Sequence, residues 1–253
     1  MNELIRVKNS AYSVYEDLII RRDRLLKEAH LYENAYLREF GDLILEVFAA
    51  KTECVKLKKA IAFCQAEINH GNSPDRDMLN DYIAECMAGY QAELERMAEQ
   101  NANAKKGYQL TESEIIEIKQ LYRKLAKLLH PDINPMTEKN ETLLELWERI
   151  SLAYSCNDLE GLKELETLVS MTLDQLQLGC LEIEIPNLDE KTEALRLEIE
   201  KITSTTPYIH KELLEDPEAV FAKKEELKKE LEHYKKYAEE LNICLRQVLL
   251  GEE

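Results

Sequence analysis

Residues Ile115 to Pro135 read IIEIKQLYRKLAKLLHPDINP, a strongly patterned helix running into one specific tripeptide. At 100° per residue, Ile115, Ile118, Tyr122, Leu125 and Leu129 share one face. Lys119, Arg123 and Lys127 form a stripe on another, with Lys124 beside them. Thr111 and Glu114 have the spacing of a capping box that starts this basic amphipathic helix. Pro131 cannot continue it and biases His130 away from helical angles, which places the stop within a residue or two of Leu129. His130, Pro131 and Asp132 are therefore expected in an exposed loop, where substituting His130 or Asp132 leaves the fold undisturbed.

A second apolar helix follows at the right distance. Leu143, Leu146, Trp147, Ile150, Ala153 and Tyr154 recur at three and four residues. After it, NDLEGLKELETLV carries a capping pair, Asn157 and Glu160, and an apolar stripe of Leu159, Leu162, Leu165 and Val169.

Residues Thr111 to Ser155 resemble the J-domain of DnaJ-type co-chaperones. In that family a YRKLAK-like helix leads into His-Pro-Asp, usually followed by Asn-Pro, and the next helix ends in an Ala-Tyr pair. Tyr122 to Lys127, His130 to Asp132, Asn134, Pro135, Ala153 and Tyr154 stand in those places here. The resemblance implies that Lys119, Arg123, Lys124, Lys127, His130, Pro131, Asp132 and Asn134 dock on a DnaK-class chaperone and accelerate its ATP hydrolysis. It implies no catalytic residue and no cofactor in this chain. Three departures stand out. GYQLTESE, from Gly107 to Glu114, is too short for the family's first helix, and the end of the preceding hairpin, Tyr90 to Lys106, is the expected substitute. Position 133, often basic in the family, is Ile, and a different helix replaces the family's last one.

Composition supports an all-α chain. Of 253 residues, 33% are charged and 45% hydrophobic, with only seven Gly and six Pro. Three segments are expected: a helical hairpin over 1–106, the J-domain-like module over 107–171, and coiled-coil helices over 172–253. In the first, Ala11, Tyr15, Leu18, Arg22, Leu25, Ala29, Tyr32 and Tyr36 alternate in steps of four and three. A stutter leads to Phe40, and Leu43, Val47, Ala50, Cys54, Leu57, Ile61, Cys64 and Ile68 resume the register. This is one long helix, with Gly41 the candidate for a kink. HGNSP then breaks it, with Gly71 as C-cap, Ser73 as N-cap and Pro74 at the first helical position. A returning helix should turn Leu79, Ile83, Cys86, Tyr90, Leu94 and Met97 inward. It can cover only the Leu43 to Ile68 half, so the Ala11 to Tyr36 stripe needs another cover: the C-terminal heptad helix or the same arm of a second subunit.

Beyond Thr172, Leu181, Ile183 and Ile185 alternate before Pro186, as in a linker or surface strand. Helical spacing returns at Leu188 to Ile202. Asp216 and Pro217 then open a final helix in which Leu227, Leu231, Tyr234, Ala238, Leu241, Leu245 and Val248 form a coiled-coil seam. Its partner is either the 188–202 helix or another subunit, which would make a homodimer.

The formal charge is −17, and residues 156 to 253 hold much of it, with 12 basic and 24 acidic side chains. Residues 115 to 129 are the locally cationic exception, four basic groups against Glu117 alone. So acidic a surface disfavours nucleic acid. No signal-peptide core and no run of about 18 apolar residues occurs, so a cytoplasmic protein with no membrane partner is expected. The six cysteines lack any C-x-x-C and mostly fall on apolar faces, as buried thiols rather than a metal site. An acid–base enzyme built on His130 and Asp132 is disfavoured by their separation across a proline and by the lack of a nucleophile at motif spacing. The alternative to a co-chaperone is a coiled-coil scaffold carrying a non-stimulatory docking module. No Gly/Phe-rich or cysteine-rich region identifies a client.

Overall fold

The computed structural model describes residues 10–106, 111–176 and 185–250. Among them are eight α-helices and no strand, so the all-α class holds: α1 (Ser10–Asn69), α2 (Arg76–Lys105), α3 (Glu112–Leu129), α4 (Glu141–Ser155), α5 (Leu159–Gln175), α6 (Leu188–Ser204), α7 (His210–Glu215) and α8 (Pro217–Leu250). None is long and apolar enough to cross a membrane. Leu181 and Ile183, the core of the expected extended segment, and Cys180 lie outside the described residues.

Local chemistry sets most of the boundaries. Thr111 and Glu114 close both hydrogen bonds of the capping box on α3. Asp216 Oδ1 accepts the N–H of Glu218 and Ala219 ahead of α8. Gly71 ends α1 at φ +80°, while the Asn72 N–H reaches back to the Glu67 carbonyl at 2.9 Å. Two expected caps move by a residue or two. Asp75, not Ser73, caps α2 by accepting from Asp77 and Met78, and Asp158, not Asn157, caps α5 by accepting from Gly161. A carboxylate on the correct side of the first turn displaces the weaker neighbour in each case. Asn157 instead takes a left-handed turn at φ 58° after α4.

The chain forms two compact units, residues 1–31 with 108–209 and residues 32–107 with 210–253, which do not coincide with the three consecutive segments read from the sequence. In the first unit, α3 and α4 lie antiparallel: Tyr122 stacks on Tyr154 at 3.7 Å, and His130 meets Trp147 at 4.6 Å. The expected faces are buried. Ile118, Tyr122, Leu125 and Leu129 of α3 pack with Leu143, Leu146, Ile150 and Tyr154 of α4 and Leu162, Leu165 and Val169 of α5. The start of α1 completes this core through Tyr12, Tyr15, Ile19 and Ile20, and α6 adds Leu195.

Two expectations change as a result. The helix that packs on α3 and α4 is the beginning of α1, not the expected residues Tyr90 to Lys106. The apolar stripe from Ala11 to Tyr36 has two covers: its Tyr12 to Ile20 part packs into the core of α3, α4 and α5, and at its other end Tyr36 packs with Leu213, Leu214, Val220 and Leu227 of α7 and α8. A two-helix seam uses only every third and fourth residue, whereas a helix set into a multi-helix core buries a wider face. Tyr12, Ile19 and Ile20, which the heptad register passes over, are buried for that reason.

In the second unit the later part of α1 is flanked by α2 and α8. Phe40 and Val47 pack with Leu227 and Leu231, and Tyr36, Leu43, Leu213, Leu214, Val220 and Tyr234 close around them. Further along, Cys54 Sγ lies 3.3 Å from the Tyr234 carbonyl and Lys58 sits over the Tyr237 ring. Rising numbers on both helices make α8 parallel to α1. The Leu227, Leu231 and Tyr234 part of the α8 seam therefore rests on α1 of its own chain, a partner the sequence pattern alone does not single out.

Helix α2 runs antiparallel, with Tyr82 stacked on Phe63 at 5.2 Å and Asn101 seated on Gly41. Helix α1 is continuous through Gly41, and the missing Cβ admits the Asn101 side chain. On α2, Met87 is buried and Tyr90 is exposed, the reverse of the heptad assignment for Tyr90. Cys54 and Cys64 are buried as expected, but Cys156 is exposed.

Candidate docking site

Helix α3 ends at Leu129, and His130 takes φ −62°, ψ 125°, the extended angles a following proline favours. The loop then folds onto its own first residue. The His130 carbonyl accepts the N–H of Ile133 at 2.9 Å and of Asn134 at 2.7 Å. Asn134 holds the loop from inside, its Nδ2 donating to the Leu128 carbonyl at 2.9 Å and its Oδ1 accepting from Met136 N–H. Ile133 is fully buried in the core, and the Tyr12 hydroxyl donates to its carbonyl at 2.7 Å. The isoleucine that departs from the J-domain pattern is thus an apolar anchor tying the loop to α1.

The tripeptide is not uniformly exposed. His130 is buried at 6%, Pro131 is half-buried, and only Asp132 is open, its side chain 48% exposed. His130 Nδ1 accepts the N–H of Asp132 at 3.1 Å, which assigns the ring proton to Nε2, facing Asp23 Oδ2 at 3.4 Å. The Tyr122 hydroxyl donates to the same Asp23 oxygen at 2.7 Å, while Arg22 Nε and Nη2 hold Asp23 Oδ1 at 3.1 and 2.9 Å. Burial alone would raise Asp23, but the His130 hydrogen bond and the Arg22 charge prevail and hold it below the usual carboxylate value. Burial, and then the Asp23 charge, push the Tyr122 hydroxyl well up. His130 is therefore a buried member of this network rather than the exposed loop residue expected from the sequence.

The basic stripe is paired within the chain. Lys119 Nζ meets Glu28 at 3.0 Å, Arg123 Nη2 meets Asp17 at 2.8 Å, and Lys127 Nζ lies 3.0 Å from the buried Glu16. Lys124, on the α5 side, meets Glu166 at 2.6 Å. The α3 face is cationic in its own sequence but largely balanced once α1 and α5 flank it. Arg123 and Lys124 remain more than half exposed, at 57% and 63%. Beside them a pocket of about 230 Å³ opens between α1 and α3, lined in part by Ile20, Arg24, Lys119, Tyr122 and Arg123. At its Tyr154 end, Lys27 donates to the Tyr154 carbonyl at 2.6 Å, and burial, with Lys119 nearby, pulls its amine down to about 8.

No family model matches the chain, and no curated protein or solved structure does either. The site is defined by its own geometry.

The residues missed by sequence reasoning are Glu16, Asp17, Arg22, Asp23 and Glu28, all on α1. One signal was present: Arg22 holds a position between Leu18 and Leu25 in an otherwise apolar register, where a charged residue requires a partner. Chemically, the arrangement offers one half-exposed carboxylate on a braced loop, next to a row of cations of which Arg123 and Lys124 are the most exposed.

Proposed function

We propose that residues 111–155 act as a J-domain-type docking module, and that the chain is a co-chaperone stimulating ATP hydrolysis by a DnaK-class partner. The observation that carries this reading is the placement of Asp132. An exposed carboxylate stands at the joint of an antiparallel helix pair, on a loop braced by Asn134, Ile133 and His130. A loop already ordered loses little entropy on docking, and a carboxylate presented this way suits a partner's guanidinium. Arg123 and Lys124 extend the surface. Their exposed pairs with Asp17 and Glu166 belong to a class worth about 0–1 kcal/mol each, so acidic groups of a partner can replace them at little loss.

The test is a steady-state ATPase assay with a purified DnaK-class chaperone. Asp132→Asn is expected to reduce stimulation at least about tenfold, the loss of one well-placed charged hydrogen bond, with an unchanged melting curve because the side chain is half in water. His130→Gln is not an equivalent probe, since it also disturbs the Asp23 network. Stimulation by Asp132→Asn equal to that of the wild type overturns the assignment.

A further inference from the structure

Arg22 is where the proposed docking surface meets the rest of its own unit. Its side chain is 18% exposed and tethered at one edge, where Nε and Nη2 both lie on Asp23 Oδ1. The remaining nitrogen, Nη1, lies between two carboxylates, 3.5 Å from Asp132 Oδ2 and 3.9 Å from Glu198 Oε2 on α6. Both acceptors are about half exposed, at 48% and 47%. The carboxylate that a partner's cation would engage is therefore already facing a cation of the same chain.

We infer that Arg22 is a specificity-determining residue of docking: it occupies Asp132 in cis, and a partner's cationic side chain takes Asp132 as Arg22 Nη1 passes to Glu198. The inference rests on the proposed docking role of Asp132. The exchange needs no backbone movement, because the Asp23 tether keeps the guanidinium in place and the two distances to Nη1 differ by only 0.4 Å (3.9 against 3.5). Neither contact of Nη1 is short, and half-exposed pairs of this kind are weak, so the effect is a graded threshold on affinity rather than a lock. Glu198 has a defined part in it. It receives the displaced cation, and without it the guanidinium has only Asp132 to turn to.

Two substitutions of the full chain should therefore move docking in opposite directions. Arg22→Gln keeps a hydrogen-bonding side chain toward Asp23 but frees Asp132. It should lower the concentration of this chain that half-saturates ATPase stimulation of a DnaK-class chaperone by about threefold to fivefold, the scale of one surface pair. Glu198→Gln, on an exposed face of α6, should raise it by about twofold to threefold, and that rise should vanish in the Arg22→Gln background. If Arg22→Gln fails to fold, as judged by Trp147 fluorescence, the Glu198→Gln shift alone decides. Half-saturation unchanged by Glu198→Gln, or shifted the same way by both variants, overturns the role of Arg22 while leaving the docking reading intact. A wild-type chain that neither binds nor stimulates overturns the docking reading first, and this one with it.

Discussion

Residues 12–29 and 40–64 lie on the same helix and carry the same four-three apolar spacing, yet they are used differently. The first stretch enters a multi-helix core, burying Tyr12, Tyr15, Ile19, Ile20, Leu25 and Ala29 together with the carboxylate of Glu16. The second forms two helix–helix seams, with α8 on Phe40 and Val47 and with α2 on Gly41 and Phe63. A heptad repeat states that a face is apolar but not how many helices will cover it. What separates the two stretches in the sequence is what interrupts the apolar register. Charged residues, Glu16, Arg22 and Asp23, mark the half that meets a polar loop, and small ones, Gly41, Ala50 and Cys54, mark the half that other helices approach closely.

The comparison is broken most directly at Ile19. In a coiled-coil seam this position lies off the register, and its truncation would be close to neutral. In the observed core the side chain has no exposed surface, so Ile19→Ala should lose about 2–5 kcal/mol through lost transfer energy and the cavity left behind. Trp147 is the chain's single tryptophan and lies against the same core, so its fluorescence in a denaturant titration reports the loss. An unchanged midpoint would return residues 12–29 to a two-helix seam.

Next in size is Asp23, which sharpens the polar side of the contrast. Its side chain is 13% exposed and accepts from Arg22 and Tyr122 while facing His130. Asp23→Asn should destabilise by about 1–3 kcal/mol at pH 7, because Arg22 loses its tethering charge. The pH dependence has a definite sign. Folding lowers the proton affinity of this carboxylate, so its contribution is complete above the unfolded value of about 3.9 and is lost as pH falls through the lower folded value. Wild type and variant should differ clearly at pH 7 and converge below about pH 3. A constant difference across that range would mean that the variant acts through packing instead.

How far the sequence reaches follows from the same residues. The periodicity of α3, the capping box at Thr111, the stop before Pro131, and the faces of α4 and α5 are local properties, and all were legible. The parallel α8 seam was legible as a seam but not in its partner, since Leu227 and Leu231 match any apolar stripe of the right length. Tyr90 was misplaced because a strict 3.5-residue period drifts across 30 residues of a straight 3.6-residue helix. Of the candidate site, Lys119 to Asn134 could be named from the motif. The α1 acids opposite them could not, because residues about a hundred positions apart in the chain meet only after folding. The exposure of His130 was misjudged for the same reason: the loop is short and polar, but Asp23 and Trp147 close over its first residue.

The smallest effects test the seam half of α1 and turn on two helical glycines. A Cβ built on Gly41 would fall 2.3 Å from Asn101 Oδ1 and 2.8 Å from its Cγ, whereas one on Gly89 would meet nothing within 4 Å. Replacing Gly by Ala in a helix interior gains about 1 kcal/mol from backbone entropy when space allows. Gly89→Ala should therefore raise the melting temperature modestly. At Gly41 the same gain is opposed by displacement of a buried amide whose Nδ2 donates to Asp42 at 2.7 Å, and overpacking of this kind costs about 1–3 kcal/mol. Gly41→Ala should thus be neutral to destabilising by about 2 kcal/mol, the difference of those two terms. Adding Asn101→Ala clears the space and also removes a buried amide oxygen that finds no donor among the described residues. The double variant should recover most of the loss in thermal melts followed by far-UV circular dichroism. If Gly41→Ala instead stabilises as much as Gly89→Ala, then α2 does not seat Asn101 on α1, and the close approach that distinguishes this half of the helix is absent.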